Sequence, residues 1–243
     1  MINGKSVLAI IPARAGSKRI PNKNIKNFSG KPLIVHAIEN ALAASYIDRV
    51  IVDTDSEEIA KIGRENGAEV PFLRPAELAQ DSSQAIDNII HTLNKLKEDE
   101  GYNPTHVFIL QTTSPLREVE DIDKCWDLIQ RSNATTVLTV CSTHPRLYHL
   151  TEDNDIVLVN STEAASTNIQ DWPSGYILNG CFVYIIKTKA LLKERRVVTE
   201  KTKAVVCDKW RSVDLDTHED WVLAELLYQN SGMLANQIKN SCN

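Results

Sequence analysis

Four cations stand close together near the start of this chain, where they could bind phosphate oxygens. They are Arg14, Lys18, Arg19 and Lys23, and they are interrupted by Gly16, Ser17 and Pro21. Backbone N–H groups of a glycine-containing loop, together with Lys and Arg side chains, suit the oxygens of a phosphate group. The loop therefore predicts a phosphate site, although an isolated cluster of cations is more often a solvated surface loop.

Two carboxylates near the other end of the chain could bind a metal ion. Asp214 and Asp216 are separated by one residue, and in an extended segment this spacing puts both carboxylates on one side and Leu215 on the other. Mg²⁺ prefers one or two carboxylates together with phosphate oxygens. Combined with the cationic loop, the pair predicts a Mg²⁺ site; the alternative is that Asp216 and Thr217 only cap the last helix.

A buried strand must position the cationic loop. Residues 7–11 are apolar and largely β-branched, and Pro12 ends the run. Open α/β sheets bind anionic ligands at the carboxyl ends of their strands, and this placement favours a ligand site over a surface loop. The chain has neither the G-x-x-x-x-G-K-[ST] pattern of a P-loop nor a G-x-G-x-x-G fingerprint after a predicted strand.

Short apolar strands alternate with helical patterns through the first half of the chain. Further strands are predicted at Arg49–Val52, at Glu69–Leu73 as an edge strand, and at His106–Gln111. Such alternation with short connections implies right-handed βαβ units. We therefore predict an α/β fold with a doubly wound, mainly parallel, Rossmann-like sheet.

The second half of the chain is less regular. Strands are predicted at Thr135–Cys141, Cys181–Ile186, Val205–Cys207 and Ser212–Leu215, and a last helix at Thr217–Tyr228. Residues 142–177 are polar and rich in turn formers, which indicates an inserted lid or interface element. We expect a single domain over residues 1–230 that contains this insertion, followed by a loosely ordered polar tail, 231–243.

Composition excludes several classes of protein. The formal net charge of -5 argues against a nucleic-acid binder. No apolar run approaches the roughly 20 residues of a membrane span, so we expect a cytoplasmic protein. The five cysteines lack C-x-x-C spacing, which argues against a zinc site and a disulfide framework.

Several stretches resemble one enzyme family in the same order along the chain. They are IIPARAGSKRIPNKNI, GKPLI, DTDS, RPAELAQD, QTTSPLR, NG and DLDT, and they extend from about residue 7 to residue 225. Together they resemble the bacterial acylneuraminate cytidylyltransferases, which make CMP-activated nonulosonic acids. The resemblance implies a nucleotidyltransferase fold, CTP and a small acidic sugar as substrates, and Mg²⁺ as cofactor. It also implies a homodimer, in which the inserted element closes over the partner's sugar site.

For such a reaction, charge assigns the roles of the loop cations and of the two aspartates, and the resemblance adds further residues. A sugar hydroxyl would attack the α-phosphorus of the nucleotide in line and pyrophosphate would leave, so that catalysis is mainly positioning and neutralisation of charge. Arg14 and Lys18 would bind the β- and γ-phosphates, Lys23 the α-phosphate or the leaving pyrophosphate, and Asp214 and Asp216 the metal. Further expected nucleotide-binding residues are Gly16, Ser17, Asn24, Arg74 and Asp81. Residues expected near the sugar are Gln111, Thr113, Asn179 and Arg146.

The sugar is less well defined than the nucleotide. Two arginines that sialic-acid-specific members commonly use for the sugar carboxylate are absent, because residues 168–171 are NIQD and residues 176–178 are YIL. An arginine is hard to replace there because it offers a planar fork of two donors. The acceptor could be a legionaminic- or pseudaminic-type acid, or a sugar phosphate used with a different nucleotide. A nucleotide-binding regulator without turnover is the alternative from another class.

Overall fold

The structure is a computed structural model that describes residues 6–80, 83–159, 172–180 and 182–241. At its centre is one sheet with the strand order β11-β6-β10-β5-β1-β4, and β9 pairs with the end of β6. Its strands are β1 Val7–Pro12, β4 Arg49–Asp53, β5 His106–Ile109, β6 Thr136–Thr143, β9 Gly175–Leu178, β10 Tyr184–Lys187 and β11 Thr202–Cys207. Two short strands outside this sheet, β2 Asn27–Phe28 and β3 Lys31–Pro32, pair with each other.

The helices lie between the strands in sequence. They are α1 Leu33–Ala43, α2 Glu57–Glu65, α3 Ala85–Glu100, α4 Val119–Gln130, α5 Thr188–Glu194, α6 His218–Gln229 and α7 Ser231–Ser241. In the described part of the chain, no helix combines the length and apolar character needed to cross a lipid bilayer.

The sheet is mainly parallel, as predicted, but one central strand is reversed. Strand β1 is parallel to both β4 and β5, and β11 is parallel to β6. Strand β10 is antiparallel to both of its neighbours, β5 and β6. The start of β10 therefore lies at the edge where β1, β5 and β6 end, and the residues that precede β10 are brought to that edge.

Apolar side chains cover both faces of the sheet. On one face, β1, β4 and β5 pack against the apolar sides of α1, α2 and α4. On the other face, alternate residues of the same strands pack against α3 and α5. Residues that alternate along a strand point to opposite faces, so β1 is buried on both sides and reads as a continuous apolar run. This is the strand that was predicted to position the cationic loop.

A third apolar cluster lies beneath that loop. Ile20 and Leu215 are both fully buried in it, together with Phe28 and Trp221. Phe28 meets Trp221 edge to face, with ring centroids 5.5 Å apart. The cluster fastens the cationic loop and the segment that contains Asp214 and Asp216 to the same apolar support, although they are about 190 residues apart in sequence.

The inserted region contains a small hairpin of its own. Strand β7, Tyr148–Leu150, pairs with β8, Ile156–Leu158, in a separate two-stranded sheet. Residues 160–171 lie outside the described part. Much of the apolar surface of this region is exposed to solvent. The exposed apolar residues are Leu147, Tyr148, Leu150, Ile156, Val157, Val159, Tyr176, Ile177 and Leu178, and we call this set the apolar arm.

Three predicted elements differ from the structure. Glu69–Leu73 is not a strand, because Pro71 cannot donate to a ladder and only Glu69 bridges to Ile51. Residues 212–215 are not a strand either, since their hydrogen bonds go to the turn after β5 and back into the segment itself. The tail predicted to be loosely ordered forms α7, whose backbone continues from α6 through a bond from the Leu234 N–H to the Asn230 carbonyl.

Candidate active site

An open cavity lies at the point where the order of the strands reverses. From β1 the chain goes to β4 on one side and then to β5 on the other, and the cavity is at the carboxyl ends of β1 and β5. Open α/β sheets bind ligands at such switch points. The cavity has a volume of about 440 Å³. It is lined by Pro12, Arg14, Ser17, Lys18, Arg19, Ile20, Lys23, Asn24, Gln111, Thr112, Thr113 and Asp216.

Hydrogen bonds donated by its backbone hold the cationic loop at the carboxyl end of β1. The Ala13 N–H donates to the Asp53 carbonyl at 2.9 Å, and the Ala15 N–H donates to Oδ1 of Asp55 at 2.9 Å. Ile20 is buried in the cluster beneath, whereas its neighbour Arg19 is exposed. The loop is thus fixed at both ends, and the cations between these points face solvent and the cavity.

Asn24 joins two walls of the cavity. Its Nδ2 donates to the Arg14 carbonyl at 2.9 Å, and its Oδ1 accepts from the Thr112 hydroxyl at 2.6 Å. Asn24 is itself buried and lies in the middle of a single 3₁₀ turn, residues 23–25. Because both of its amide groups are used, it positions the cationic loop against the turn that follows β5.

Lys23 connects the cationic loop to the carboxylate segment. Its Nζ donates to the Leu215 carbonyl at 2.6 Å and lies 3.8 Å from Oδ1 of Asp216. Burial lowers the pKa of Lys23 from its usual value, and the carboxylates of Asp216 and Asp214 oppose that shift. The nearer partner of Lys23 is thus the neutral Leu215 carbonyl, and the Asp216 carboxylate lies farther from its ammonium group.

The segment with the two aspartates bends instead of extending. The Leu215 N–H donates to the Thr113 carbonyl at 2.9 Å, and the Asp216 N–H returns to the Asp214 carbonyl at 3.0 Å. Leu215 is fully buried between the two carboxylates. As a result Asp216 lines the cavity, while Asp214 lies behind it and not on the cavity wall.

Asp214 is a partly buried carboxylate with an unused oxygen. Its Oδ1 is buried and has no hydrogen-bond donor among the described residues. Desolvation raises the pKa of Asp214, a hydrogen bond from Thr113 opposes this, and the charge of Asp216 adds to it. A buried carboxylate oxygen without a donor is costly in an apoprotein, and a cation can supply the missing partner.

Gly180 allows the approach of this carboxylate. It has a φ of +67°, and a Cβ added to it would lie 2.5 Å from Cβ and Cγ of Asp214. The Ser114 hydroxyl fixes the Gly180 carbonyl at 2.9 Å. The NG pair is at the site because β10 is antiparallel, so that its first residues come to the edge where β5 ends.

The two carboxylates fit a Mg²⁺ site in which the protein supplies only two ligands. Among the described residues, no group of three or more His, Cys, Asp or Glu side chains could hold a metal. Asp216 at the cavity and the unused oxygen of Asp214 supply two hard ligands. Mg²⁺ commonly takes one or two carboxylates and completes its shell with water and substrate phosphate oxygens, and the donor set agrees with that pattern.

The other predicted site residues that the structure describes do not line the cavity. Arg74 is buried in a two-bond ion pair with Asp53, with Nε–Oδ1 and Nη2–Oδ2 distances of 3.0 and 2.7 Å. Asn179 is buried and uses its amide on Thr139 and Ser212. Arg146 lies over the Trp172 ring in the inserted region, Gly16 is exposed outside the cavity lining, and Asp81 lies outside the described residues.

Four cavity residues received no individual role from the sequence. They are Pro12, Arg19, Ile20 and Thr112. Arg19 was counted only as one of the four cations of the predicted phosphate loop. Thr112 also gave a signal, since it is one of four consecutive polar residues at a strand end, 111–114. Ile20 and Pro12 gave none, because an apolar side chain in a loop does not by itself indicate a ligand.

Comparisons with known proteins agree on one family. A family model described as "Cytidylyltransferase" matches residues 8–237. The chain is 34% identical to the CMP-N,N'-diacetyllegionaminic acid synthase of Legionella pneumophila over 226 residues, which are 92% of this chain and 96% of that protein. It is 33% identical to a pseudaminic acid cytidylyltransferase of Campylobacter jejuni over 228 residues, 91% of this chain and 96% of the relative.

A solved structure has the same fold at low sequence identity. It is a CMP:2-keto-3-deoxy-manno-octonic acid synthetase complexed with CTP, with a TM-score of 0.69 and 16% identity. The match covers 93% of this chain and 99% of that one. At this identity the likeness bears on the fold alone.

Proposed function

The chain belongs to the cytidylyltransferase family, and on that basis we propose that it transfers CMP from CTP to a nonulosonic acid and releases pyrophosphate. One observation carries the proposal: Arg14, Lys18, Arg19 and Lys23 surround a single cavity that also contains Asp216. A nucleoside triphosphate carries the negative charge that these cations match. The carboxylate suits a cation that accompanies the phosphates.

The position of each cation in the cavity determines which phosphate group we assign to it. Arg14, which is half-buried, and Lys18, which is exposed, bind the β- and γ-phosphates. Lys23, at the back of the cavity, stabilises the charge that develops as the bond between the α-phosphorus and the pyrophosphate oxygen breaks. The acceptor hydroxyl forms the new bond to the α-phosphorus from the side opposite the leaving pyrophosphate and releases its proton to solvent. No covalent enzyme intermediate is needed.

Asp214 and Asp216 would hold the Mg²⁺ ion. When bound, the cation would neutralise phosphate charge and polarise the phosphoryl group. The chain itself orients the carboxylates: Leu215 is buried between them, and the Thr113 carbonyl accepts from its N–H. In this arrangement Asp216 lines the cavity, whereas Asp214 does not.

The acceptor is an acylated acid of the legionaminic or pseudaminic type. Gln111 and Thr113 line the cavity and offer neutral hydrogen-bonding groups. The sequence lacks the two arginines common in sialic-acid-specific members, and the relatives compared above are named for legionaminic and pseudaminic acids. Arg146 is the cation of the inserted region that we assign to the sugar carboxylate.

The active form is a homodimer formed through the apolar arm. Strands β7, β8 and β9 each expose large apolar side chains, and such exposed apolar surface marks protein–protein contacts. A second copy of the chain is the occupant that the family resemblance implies. We place the enzyme in the cytoplasm, where CTP is available.

Pyrophosphate release tests the proposal. Purified protein is assayed with Mg²⁺ and each of CTP, GTP, UTP and ATP, crossed with nonulosonic acids and sugar phosphates. We expect release with CTP and a legionaminic- or pseudaminic-type acid, and a loss of at least about a hundredfold in Asp216→Ala, since removing one group that stabilises developing charge costs that much. Turnover only with a sugar phosphate, or only with another nucleotide, would contradict the proposal. An unchanged circular dichroism spectrum of the Asp216→Ala protein would show that its loss of turnover does not come from unfolding.

A further inference from the structure

Arg19 holds the carboxylate that the metal needs. Its Nη1 lies 3.1 Å from Oδ2 of Asp216, and Lys23 approaches the other oxygen, Oδ1, at 3.8 Å. Both oxygens of this carboxylate therefore face cations of the phosphate loop. The charge of Asp216 is balanced from within the protein.

Lys23 and Arg19 differ in how firmly each is held beside Asp216. Lys23 is held at the back of the cavity by its 2.6 Å bond to the Leu215 carbonyl. Arg19 and Asp216 have side chains that are 70% and 54% exposed. Ile20, next to Arg19, is buried and fixes the backbone, so a rotation of the Arg19 side chain alone can change its partner.

We propose that Arg19 exchanges Asp216 for the terminal phosphates of CTP, and that this exchange releases Asp216 for the divalent cation. The proposal rests on the function given above. An exposed ion pair is weak because water and salt screen it, whereas a guanidinium bound to a polyphosphate forms two charge-assisted hydrogen bonds with a group of higher charge. The nucleotide therefore wins the competition for Arg19.

The exchange has a thermodynamic consequence. In the absence of metal, Asp216 competes with CTP for Arg19, and in the absence of CTP, Arg19 competes with the metal for Asp216. Each ligand thus favours the binding of the other through one shared contact. A residue that only lined the cavity would bind CTP without this dependence on Asp216.

Calorimetry of CTP and CMP binding in EDTA tests the first half of the exchange. The proteins are wild type, Arg19→Gln, Asp216→Asn and the double variant. We expect Asp216→Asn to tighten CTP binding about two- to fivefold, the scale of an exposed ion pair, when Arg19 is present, and to leave it unchanged in the Arg19→Gln background. CMP lacks the outer phosphates, so its affinity should change little. Equal tightening in both backgrounds would mean that Asp216 acts by simple repulsion, and the exchange would be refuted.

Mn²⁺ binding without nucleotide tests the second half. Electron paramagnetic resonance gives the affinity for Mn²⁺, which suits the same carboxylate ligands as Mg²⁺. We expect Arg19→Gln to bind Mn²⁺ about two- to fivefold more tightly than wild type. Lys26→Gln is the matched control, because it makes the same change in charge near the loop but Lys26 lies over the Trp221 ring at 4.5 Å.

The outcomes separate this proposal from the proposed function. If Lys26→Gln tightens Mn²⁺ binding as much as Arg19→Gln, net charge alone is responsible and the exchange is refuted. If wild type binds CTP but shows no coupling between Arg19 and Asp216, the exchange fails while the function stands. If wild type binds no CTP with or without metal, both fall together.

Discussion

At the scale of single residues, Asp214 shows how a proposed metal ligand can reduce stability. Its carboxylate is largely removed from water, its Oδ1 lacks a donor among the described residues, and its pKa is raised chiefly by desolvation. The folded protein therefore holds this proton more tightly than the unfolded chain does. Stability from this group is present at low pH and is lost as the pH rises above the unfolded pKa of about 3.9.

The substitution Asp214→Asn tests this cost. At pH 7.5 the variant should melt a few degrees above wild type, because the ionised, desolvated carboxylate is gone, and the difference should vanish near pH 4. Turnover should fall at the same time, since a proposed metal ligand is lost. Thermal unfolding at the two pH values measures the first effect and pyrophosphate release the second. A lower melting temperature at pH 7.5 would contradict the role of desolvation.

Lys18 gives a second prediction at this scale. Its ammonium lines the cavity, and we assign it to the outer phosphates of the nucleotide. Lys18→Ala should weaken CTP binding about tenfold or more, the scale of a lost charge-assisted hydrogen bond, and should change CMP binding less than about twofold. Calorimetry with both nucleotides measures the difference, and Lys26→Ala provides the control. Equal losses for CTP and CMP would move Lys18 to the α-phosphate.

At the scale of elements, a buried ion pair joins the end of β4 to the segment before α3. Arg74 meets Asp53 through two side-chain bonds and also donates to the Asp53 carbonyl at 2.8 Å. With its amide oriented to fit its surroundings, Asn88 of α3 accepts from Nη1 of Arg74 at 3.2 Å. The guanidinium therefore binds three separate groups of the protein and holds this corner of the fold together.

Arg74→Ala should lower the free energy of unfolding by about 3–5 kcal/mol, because it leaves the Asp53 carboxylate buried without a partner. Urea unfolding measures this loss. The paired variant Asp53→Asn with Arg74→Met removes both charges and should recover much of it. If Arg74→Ala unfolds normally but binds CTP far more weakly, then the nucleotide role expected from the sequence is correct and the structural role is wrong.

The reversed strand β10 marks the limit of prediction from sequence at this scale. Its apolar run predicted a strand, and the alternating elements before it predicted the parallel sheet around β1. Nothing in a short apolar run states its direction, so the arrival of Gly180 beside Asp214 could not be derived. The same holds for Arg74: a sequence shows an arginine in a loop, but only the fold shows that Asp53 is its partner.

The site itself was partly predictable for a physical reason. Arg14, Lys18 and Lys23 lie within one loop at the end of one strand, and local order was enough to bring them together. The bend at Asp214 and Asp216 was not predicted, because it depends on the Thr113 carbonyl and on a buried position for Leu215. Contacts between distant segments determine which of two neighbouring aspartates reaches the cavity.

At the scale of the whole molecule, the apolar arm predicts the oligomeric state. Leu150 and Ile156 face each other across the β7–β8 pair and are 65% and 66% exposed. Leu150→Lys with Ile156→Asp should convert the proposed dimer to a monomer, since it places charge in the proposed contact. The two new charges are opposite, so the hairpin itself keeps a favourable cross-strand pair. Light scattering after size-exclusion chromatography measures the mass.

The matched control places the same charges on another exposed apolar surface. Leu223→Lys with Leu226→Asp changes two exposed residues of α6. This variant should retain the mass of wild type. A monomeric wild-type protein, or a monomer produced equally by both variants, would show that the arm is not the dimer contact.

The two ends of the inserted region are neighbours in the sheet. Thr143 at the end of β6 pairs with Gly175 at the start of β9, and β10 then continues antiparallel beside β6. The whole region thus leaves and re-joins the sheet through one pair of adjacent residues, on the edge that carries the cavity. In evolutionary terms the region can be replaced as a unit, because a different hairpin between these two residues would leave the strand order unchanged. Under the proposed function, the acceptor contacts of this region can then diverge while the residues of the cavity stay the same.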